Sequence, residues 1–211
     1  MISHKHKCIF VHIPKTGGTS IEKVIWPLKS DRVIENLWMG FIKEHYNKYQ
    51  TGGLQHLTSS QIRNEVGVEV FNSYYKFSVV RNPWEKAISQ YIYMKEKRKD
   101  LRQFVGMSKF TSFKSYLSLI SKITHVQWMK QVDFIKRRNG DFLVDNVIKF
   151  ENLEKETQMV FGILGIKNIK LPHANKSNKM HYSSYYDEES IEMIYSLYKE
   201  DIETFNYKFD Y

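Results

Sequence analysis

One α/β domain spanning residues 1–211, with a small, mainly parallel sheet flanked by helices, is the fold the sequence predicts. Three observations predict it. Ile9 to Ile13 is a short apolar run that leads into a glycine-bearing loop and then a helical pattern. Phe77 to Val80 repeats the order with an apolar run, a cationic turn and a helical pattern. Further along, short apolar runs again alternate with helical periodicity, and strands separated by helices pair in parallel. Strands are expected near 8–13, 76–80 and 146–150, so the sheet is small. Helices are expected near 19–27, 58–66, 84–99, 112–121, 126–138, 152–164 and 187–204.

The first unit reads Cys8-Ile9-Phe10-Val11-His12-Ile13-Pro14-Lys15-Thr16-Gly17-Gly18-Thr19-Ser20. Its apolar run suits a strand buried on both faces. Pro14 lacks a backbone donor and ends the strand. Gly17 and Gly18 allow a tight turn and close approach of a ligand. Ile21, Val24 and Ile25 then mark a helix face, so a helix N-terminus sits at the loop, where free N–H groups and the dipole favour an anion. Lys15 adds a charge, and Thr16, Thr19 and Ser20 add hydroxyls. The loop is P-loop-like without being a Walker A loop, because its lysine precedes the glycines. No acidic residue ends the second strand to hold magnesium. The pattern points to a phosphate-bearing ligand without an obligatory metal.

In the second unit Arg81 follows Val80 at the strand's C-terminal end, where open α/β sheets bind ligands. Pro83 suits a first helical turn. Trp84, Ile88, Tyr91 and Ile92 form an apolar face that reads as core. Ser89 lies eight residues after Arg81. The fork of Arg81 and the Ser89 hydroxyl would clamp a second phosphate. Taken alone, Arg81 reads equally as a turn cap or a partner of Glu85. Further on, Leu57 to Arg63 is a helix start with hydroxyl caps. The last helix carries Ile191, Ile194, Tyr195, Tyr198 and Ile202 on one face, with Asp187, Glu188 and Glu189 in its first turn. There is no internal repeat and no interdomain linker.

Apolar residues make up 42% and aromatics 15%, which excludes a disordered chain. The net charge of +9 suits an acidic partner. No nucleic-acid-binding motif appears, and the cations are dispersed. The single cysteine, Cys8, forbids an intrachain disulfide and fits a reducing compartment. No apolar run is long enough to span a membrane, although peripheral membrane contact stays open.

The two segments, Lys15 to Ser20 with its preceding strand and Phe77 to Ser89, resemble the signature motifs of carbohydrate sulfotransferases that use 3'-phosphoadenosine-5'-phosphosulfate (PAPS). The similarity is to the group of heparan and dermatan 2-O-sulfotransferases and their bacterial relatives. Val147 to Leu153, Leu171 to Ser177 and Tyr198 to Tyr207 also resemble that family. The resemblance implies transfer of a sulfuryl group from PAPS to a hydroxyl of a glycan or glycolipid, releasing 3'-phosphoadenosine-5'-phosphate. It implies that Lys15, Thr16, Gly17, Gly18, Thr19 and Ser20 hold the 5'-phosphosulfate. Arg81 and Ser89 would hold the 3'-phosphate, joined by Lys176 or Ser177 from the C-terminal loop. Lys15 would act in catalysis by stabilising the oxygen that leaves sulfur. No metal is required. Lys86 stands where the family often has arginine. A lysine keeps the charge but cannot bind in the two-pronged manner of a guanidinium, so no site role falls to it.

A base must take the acceptor's proton, and histidine suits neutral pH. His56, after Gly52-Gly53 and before a helix start, occupies the place where the family's base resembles it. His12 reads as a packing or orienting residue, His4 and His6 as part of a basic tail, and His125, His173 and His181 as lesser alternatives. The 100–140 stretch is expected on the acceptor side. Its aromatics Phe104, Phe110, Phe113, Tyr116 and Trp128 are read mainly as core, with one or two open to sugar stacking. The start at Met1 close to the first motif resembles a soluble, cytoplasmic bacterial enzyme; a lumenal fragment of a Golgi enzyme is the alternative. Two rival readings are a P-loop-like kinase or NTPase and a non-catalytic polyanion-binding protein.

Overall fold

The computed structural model describes residues 1–27, 55–137, 139–167, 170–172 and 180–211. Its internal contacts gather into two compact units. The first holds Met1–Val80 and Asp133–Lys176, and the second Arg81–Val132 and Ser177–Tyr211.

The first unit is built on a four-stranded sheet in the order β1-β2-β3-β4. These are Ile2–Ser3, Cys8–Val11, Tyr75–Val80 and Asn146–Lys149. β2, β3 and β4 are parallel, with Phe10 opposite Phe77 and Val79 opposite Ile148. Every residue of β2 is buried, as are Phe77 to Val80, which is why both runs read as uninterrupted apolar segments. The expected basic tail is instead structured. Ile2 and Ser3 pair antiparallel with Ile9 and Cys8, and His4 Nδ1 lies 2.7 Å from the Tyr74 hydroxyl. A two-residue strand has too little pattern to be read from sequence; pairing with β2 creates it. The helices of this unit are α1 (Gly18–Ile25), α2 (Ser59–Val66), α3 (Val68–Ser73) and α8 (Leu153–Ile163), the last packed on β4. α2 begins with the expected hydroxyl cap. Thr58 Oγ1 accepts the Gln61 N–H at 3.2 Å, and the Gln61 side chain accepts the Thr58 N–H at 2.8 Å.

The second unit is helical. It contains α4 (Pro83–Lys97), α5 (Lys99–Val105), α6 (Phe113–Ile120) and α9 (Glu188–Phe205). Pro83 occupies the first turn of α4, and the Asn82 side chain accepts the Trp84 N–H at 3.0 Å. The apolar face of α4 is core as expected, with Trp84, Ile88, Tyr91 and Ile92 all buried.

The helix expected over 126–138 does not form. The chain makes a 3-10 turn at Val126–Trp128, straightens at Met129, and forms only α7 (Val132–Ile135). Beyond it, Lys136 pairs antiparallel with Phe142. The reason lies in where the backbone donors go. Gln131 and Val132 give their N–H groups to the two oxygens of Asp201, each at 2.9 Å. A side chain distant in sequence thus replaces the carbonyls that a continuous helix would use. Phe113, Tyr116 and Trp128 are core, whereas Phe110 is 96% exposed.

Candidate active site

The loop after β2 carries the first group of expected site residues. Pro14 ends the strand, and Lys15 and Gly17 both adopt left-handed backbone with φ of 67° and 87°. For lysine that conformation is strained, so surrounding structure holds it. Glycine is required at two places. A Cβ on Gly17 would lie 2.8 Å from the Phe150 ring, and one on Gly18 would lie 2.3 Å from the His12 ring. The glycines therefore let the loop lie flat on Phe150 and His12. Gly18 starts α1, whose N-terminus has no side-chain cap. Side chains cap the N-termini of α2, α4, α6 and α9, whereas α3, α5 and α8 lack such a cap as α1 does. The open end of α1 leaves N–H groups of its first turn for an anion. Thr19 is exposed, Lys15 half-buried and Ser20 9% exposed. Thr16 differs from the expected hydroxyl donor. It is fully buried and donates to Ile13 O at 2.9 Å, so its hydrogen serves the loop's own turn.

His56 is brought to this loop from 44 residues away. Its Nδ1 lies 2.9 Å from the backbone oxygen of His12, and the two imidazoles are 4.7 Å apart. A carbonyl only accepts, so Nδ1 is the donor, and neutral His56 keeps its lone pair on Nε2. His56 also has left-handed backbone, φ 62°. His12, read from sequence as a packing or orienting residue, is buried. It stacks on Phe10 with ring centroids 5.4 Å apart, and its Nδ1 lies 2.7 Å from Glu22 Oε1. The two atoms are at ion-pair distance with off-line hydrogen-bond geometry. Glu22, 1% exposed, is the residue sequence reasoning missed. Its only signal is a carboxylate set beside Ile21 on an otherwise apolar helix face.

Arg81 and Ser89 belong to the second unit. The Arg81 guanidinium pairs with Glu85 at 2.5 Å, one helical turn on. Its backbone is gripped by Gln131, whose side chain accepts the Arg81 N–H and donates to the Arg81 oxygen, both at 2.8 Å. Gln131 is fully buried and anchored by Asp201, which is also fully buried. Burial pushes the Asp201 carboxyl up to about 6, against the backbone N–H bonds that favour its charge. Ser89 is half-buried on α4, roughly 9 Å along the axis from Pro83. Lys176, Ser177 and His173 lie outside the described residues. His125 has a structural place, since its Nδ1 accepts the Gln127 N–H at 3.0 Å, and burial lowers the imidazole to about 4. His181 is exposed beside Ser183. Among the described residues no group of three or more His, Cys, Asp or Glu is arranged to hold a metal, and no helix is long and apolar enough to cross a membrane.

A family model described as the sulfotransferase family matches residues 1–208. The chain belongs to the sulfotransferase family. As a member it shows distant likeness to named relatives. Carbohydrate sulfotransferase 10 of Xenopus laevis is 25% identical over 98% of this chain and 66% of its own length. Carbohydrate sulfotransferase 10 of Danio rerio is 35% identical over 43% of this chain and 23% of its own. An uncharacterized protein of Archaeoglobus fulgidus is 30% identical over 50% of this chain and 79% of its own length. This sulfotransferase-family chain thus spans just under two thirds of the frog relative. No solved structure matches it significantly.

Proposed function

We propose that this protein is a PAPS-dependent sulfotransferase of one domain, residues 1–211, acting on a hydroxyl of a glycan or glycolipid. The observation that carries the reading is the uncapped N-terminus of α1 behind Lys15, Gly17 and Gly18, in a chain whose family match runs from residue 1 to 208. The lysine ahead of the glycines and the arginine after β3 favour a donor handled without magnesium, and ATP with magnesium serves as the control. The named relatives support a carbohydrate acceptor. The exposed ring of Phe110 is the candidate for stacking on a sugar face. A cytoplasmic location is part of this proposal, with a lumenal fragment of a Golgi enzyme as its alternative.

In the proposed reaction the α1 N-terminus, Lys15, Thr19 and Ser20 hold the 5'-phosphosulfate, with Thr16 shaping the turn. Arg81 and Ser89 hold the 3'-phosphate, and Lys176 and Ser177 add to it from the C-terminal loop. The acceptor oxygen attacks sulfur in line with the bridging oxygen. The S–O bond to the 5'-phosphate breaks as the new O–S bond forms. Lys15 stabilises charge on the departing phosphate oxygen. The acceptor proton passes to His56 Nε2, the ring nitrogen other than the one bonded to His12 O.

Calorimetric titration with 3'-phosphoadenosine-5'-phosphate, beside ATP with magnesium, tests the reading in wild type and Arg81→Ala. Tight binding of the bisphosphate, weak binding of ATP and a loss of roughly tenfold or more in the variant are expected, since charge-assisted hydrogen bonds are removed. A preference for ATP with magnesium, or no binding of the bisphosphate, would sink it.

A further inference from the structure

α4 carries a buried lysine that has no carboxylate within ion-pair distance among the described residues. Lys86 is 4% exposed. Its Nζ lies 3.5 Å from Met129 O and 5.6 Å from the centre of the Tyr198 ring. Asp201 acts on it only from further away, and that carboxylate is engaged by the N–H groups of Gln131 and Val132. A buried ammonium needs a counter-charge or several good acceptors. One carbonyl at the limit of hydrogen-bonding distance supplies neither.

Beside Lys86 lies a small cleft whose wall includes Gln90, Tyr116, Gln127, Trp128 and Tyr198. Gln90 is 1% exposed, and neither its amide nitrogen nor its amide oxygen has a partner among the described residues. The Tyr116 hydroxyl is fully buried and has none among them either. Tyr198 is already used, donating to Trp128 O at 2.7 Å. Orphaned polar atoms gathered around one hollow mark the place of an occupant.

We propose that this cleft is a binding site for one small inorganic anion of halide size, held by the Lys86 ammonium, the Tyr116 O–H and the Gln90 N–H. Charge decides between an anion and a water. The wall carries a cation and uncommitted donors, and no carboxylate. Size decides against anything much larger, because the free space takes a single occupant about the size of a water. Burial lowers the Lys86 ammonium only to about 8, so it is charged at neutral pH. Burial raises the Tyr116 phenol well above its ordinary value, so it keeps its proton to donate. The site gives a buried cation of the second unit its missing counter-charge, and it stands independently of the nucleotide reading.

The test replaces chloride stepwise by gluconate at constant ionic strength and neutral pH while thermal unfolding of the full chain is followed. A saturable rise in Tm with chloride and with bromide, absent with gluconate, is expected. Tyr116→Phe keeps the ring packing and removes one donor to the anion. Its half-saturating halide concentration should rise roughly tenfold. Crystals grown in bromide should show an anomalous scatterer in the cleft. Identical unfolding curves in halide and gluconate, an unchanged half-saturation in Tyr116→Phe, or a water in the bromide crystals would each overturn the proposal. No nucleotide enters these measurements, so their failure leaves the donor-site reading standing.

Discussion

His12 organises the first loop through contacts on three sides. Its ring lies against Gly18, stacks on Phe10 and reaches Glu22, while its backbone oxygen receives His56. An imidazole that only packed would not need a buried carboxylate beside it. The bond to His12 O fixes the tautomer that the proposed role of His56 as base needs, and this yields a separation of effects. His56→Ala should lower kcat by about 10²–10⁴-fold, the range typical of a lost acid–base group. Its affinity for 3'-phosphoadenosine-5'-phosphate should stay near wild type, as read by calorimetry. A variant that remains folded and turns over at the wild-type rate would remove His56 from the mechanism. The histidines are legible unevenly. His56 stands out by its place before a capped helix, but nothing local to it announces a bond to a residue 44 positions earlier.

At the scale of elements, the broken segment around Gln131 shows where the donors of a missing helix go. A continuous helix would have spent the Gln131 and Val132 N–H groups on its own carbonyls. Giving them to Asp201 of α9 frees the Gln131 side chain to grip both backbone polar groups of Arg81. Gln131→Leu keeps the size of the side chain and orphans the Arg81 N–H and C=O. Chemical denaturation should show a loss of about 1–3 kcal/mol. Bisphosphate affinity should fall as well, because the residue carrying the guanidinium is no longer held. Wild-type stability and affinity in that variant would show that the grip does nothing. Apolar spacing over 126–138 matches a helix, and the competing acceptor, Asp201, lies some 70 residues downstream. Short-range periodicity carries no information about such a partner.

For the molecule as a whole, two buried charges set an expected pH dependence of stability. Lys86 has an ordinary pKa of 10.5 and is lowered by burial to about 8 in the folded protein. Between about 8 and 10.5 the unfolded chain holds more protons at this residue, so its contribution to stability rises with pH across that window. Asp201 runs the other way. Its pKa is raised from 3.8 to about 6, the folded state holds more protons between those values, and stability falls as pH rises through them. Denaturation of wild type and Lys86→Met, compared between pH 8 and 10.5, should show wild type gaining on the variant as pH rises. A constant difference would mean that Lys86 titrates normally.

The sequence by itself determined the parallel strands, the two strand-loop-helix units and the family, because these rest on contiguous residues whose order alone dictates burial and turns. Ile9 to Ser20 and Phe77 to Ser89 are legible for that reason. Only the tertiary structure decided that residues 1–7 form a hairpin rather than a tail, that 126–138 is not one helix, and that His12 is partnered by Glu22. It alone placed Lys86, Gln90 and Tyr116 around one hollow. Each of these depends on a polar group finding, or lacking, a partner far along the chain. Desolvation makes such pairing energetically decisive, and only the folded chain brings the partners within reach.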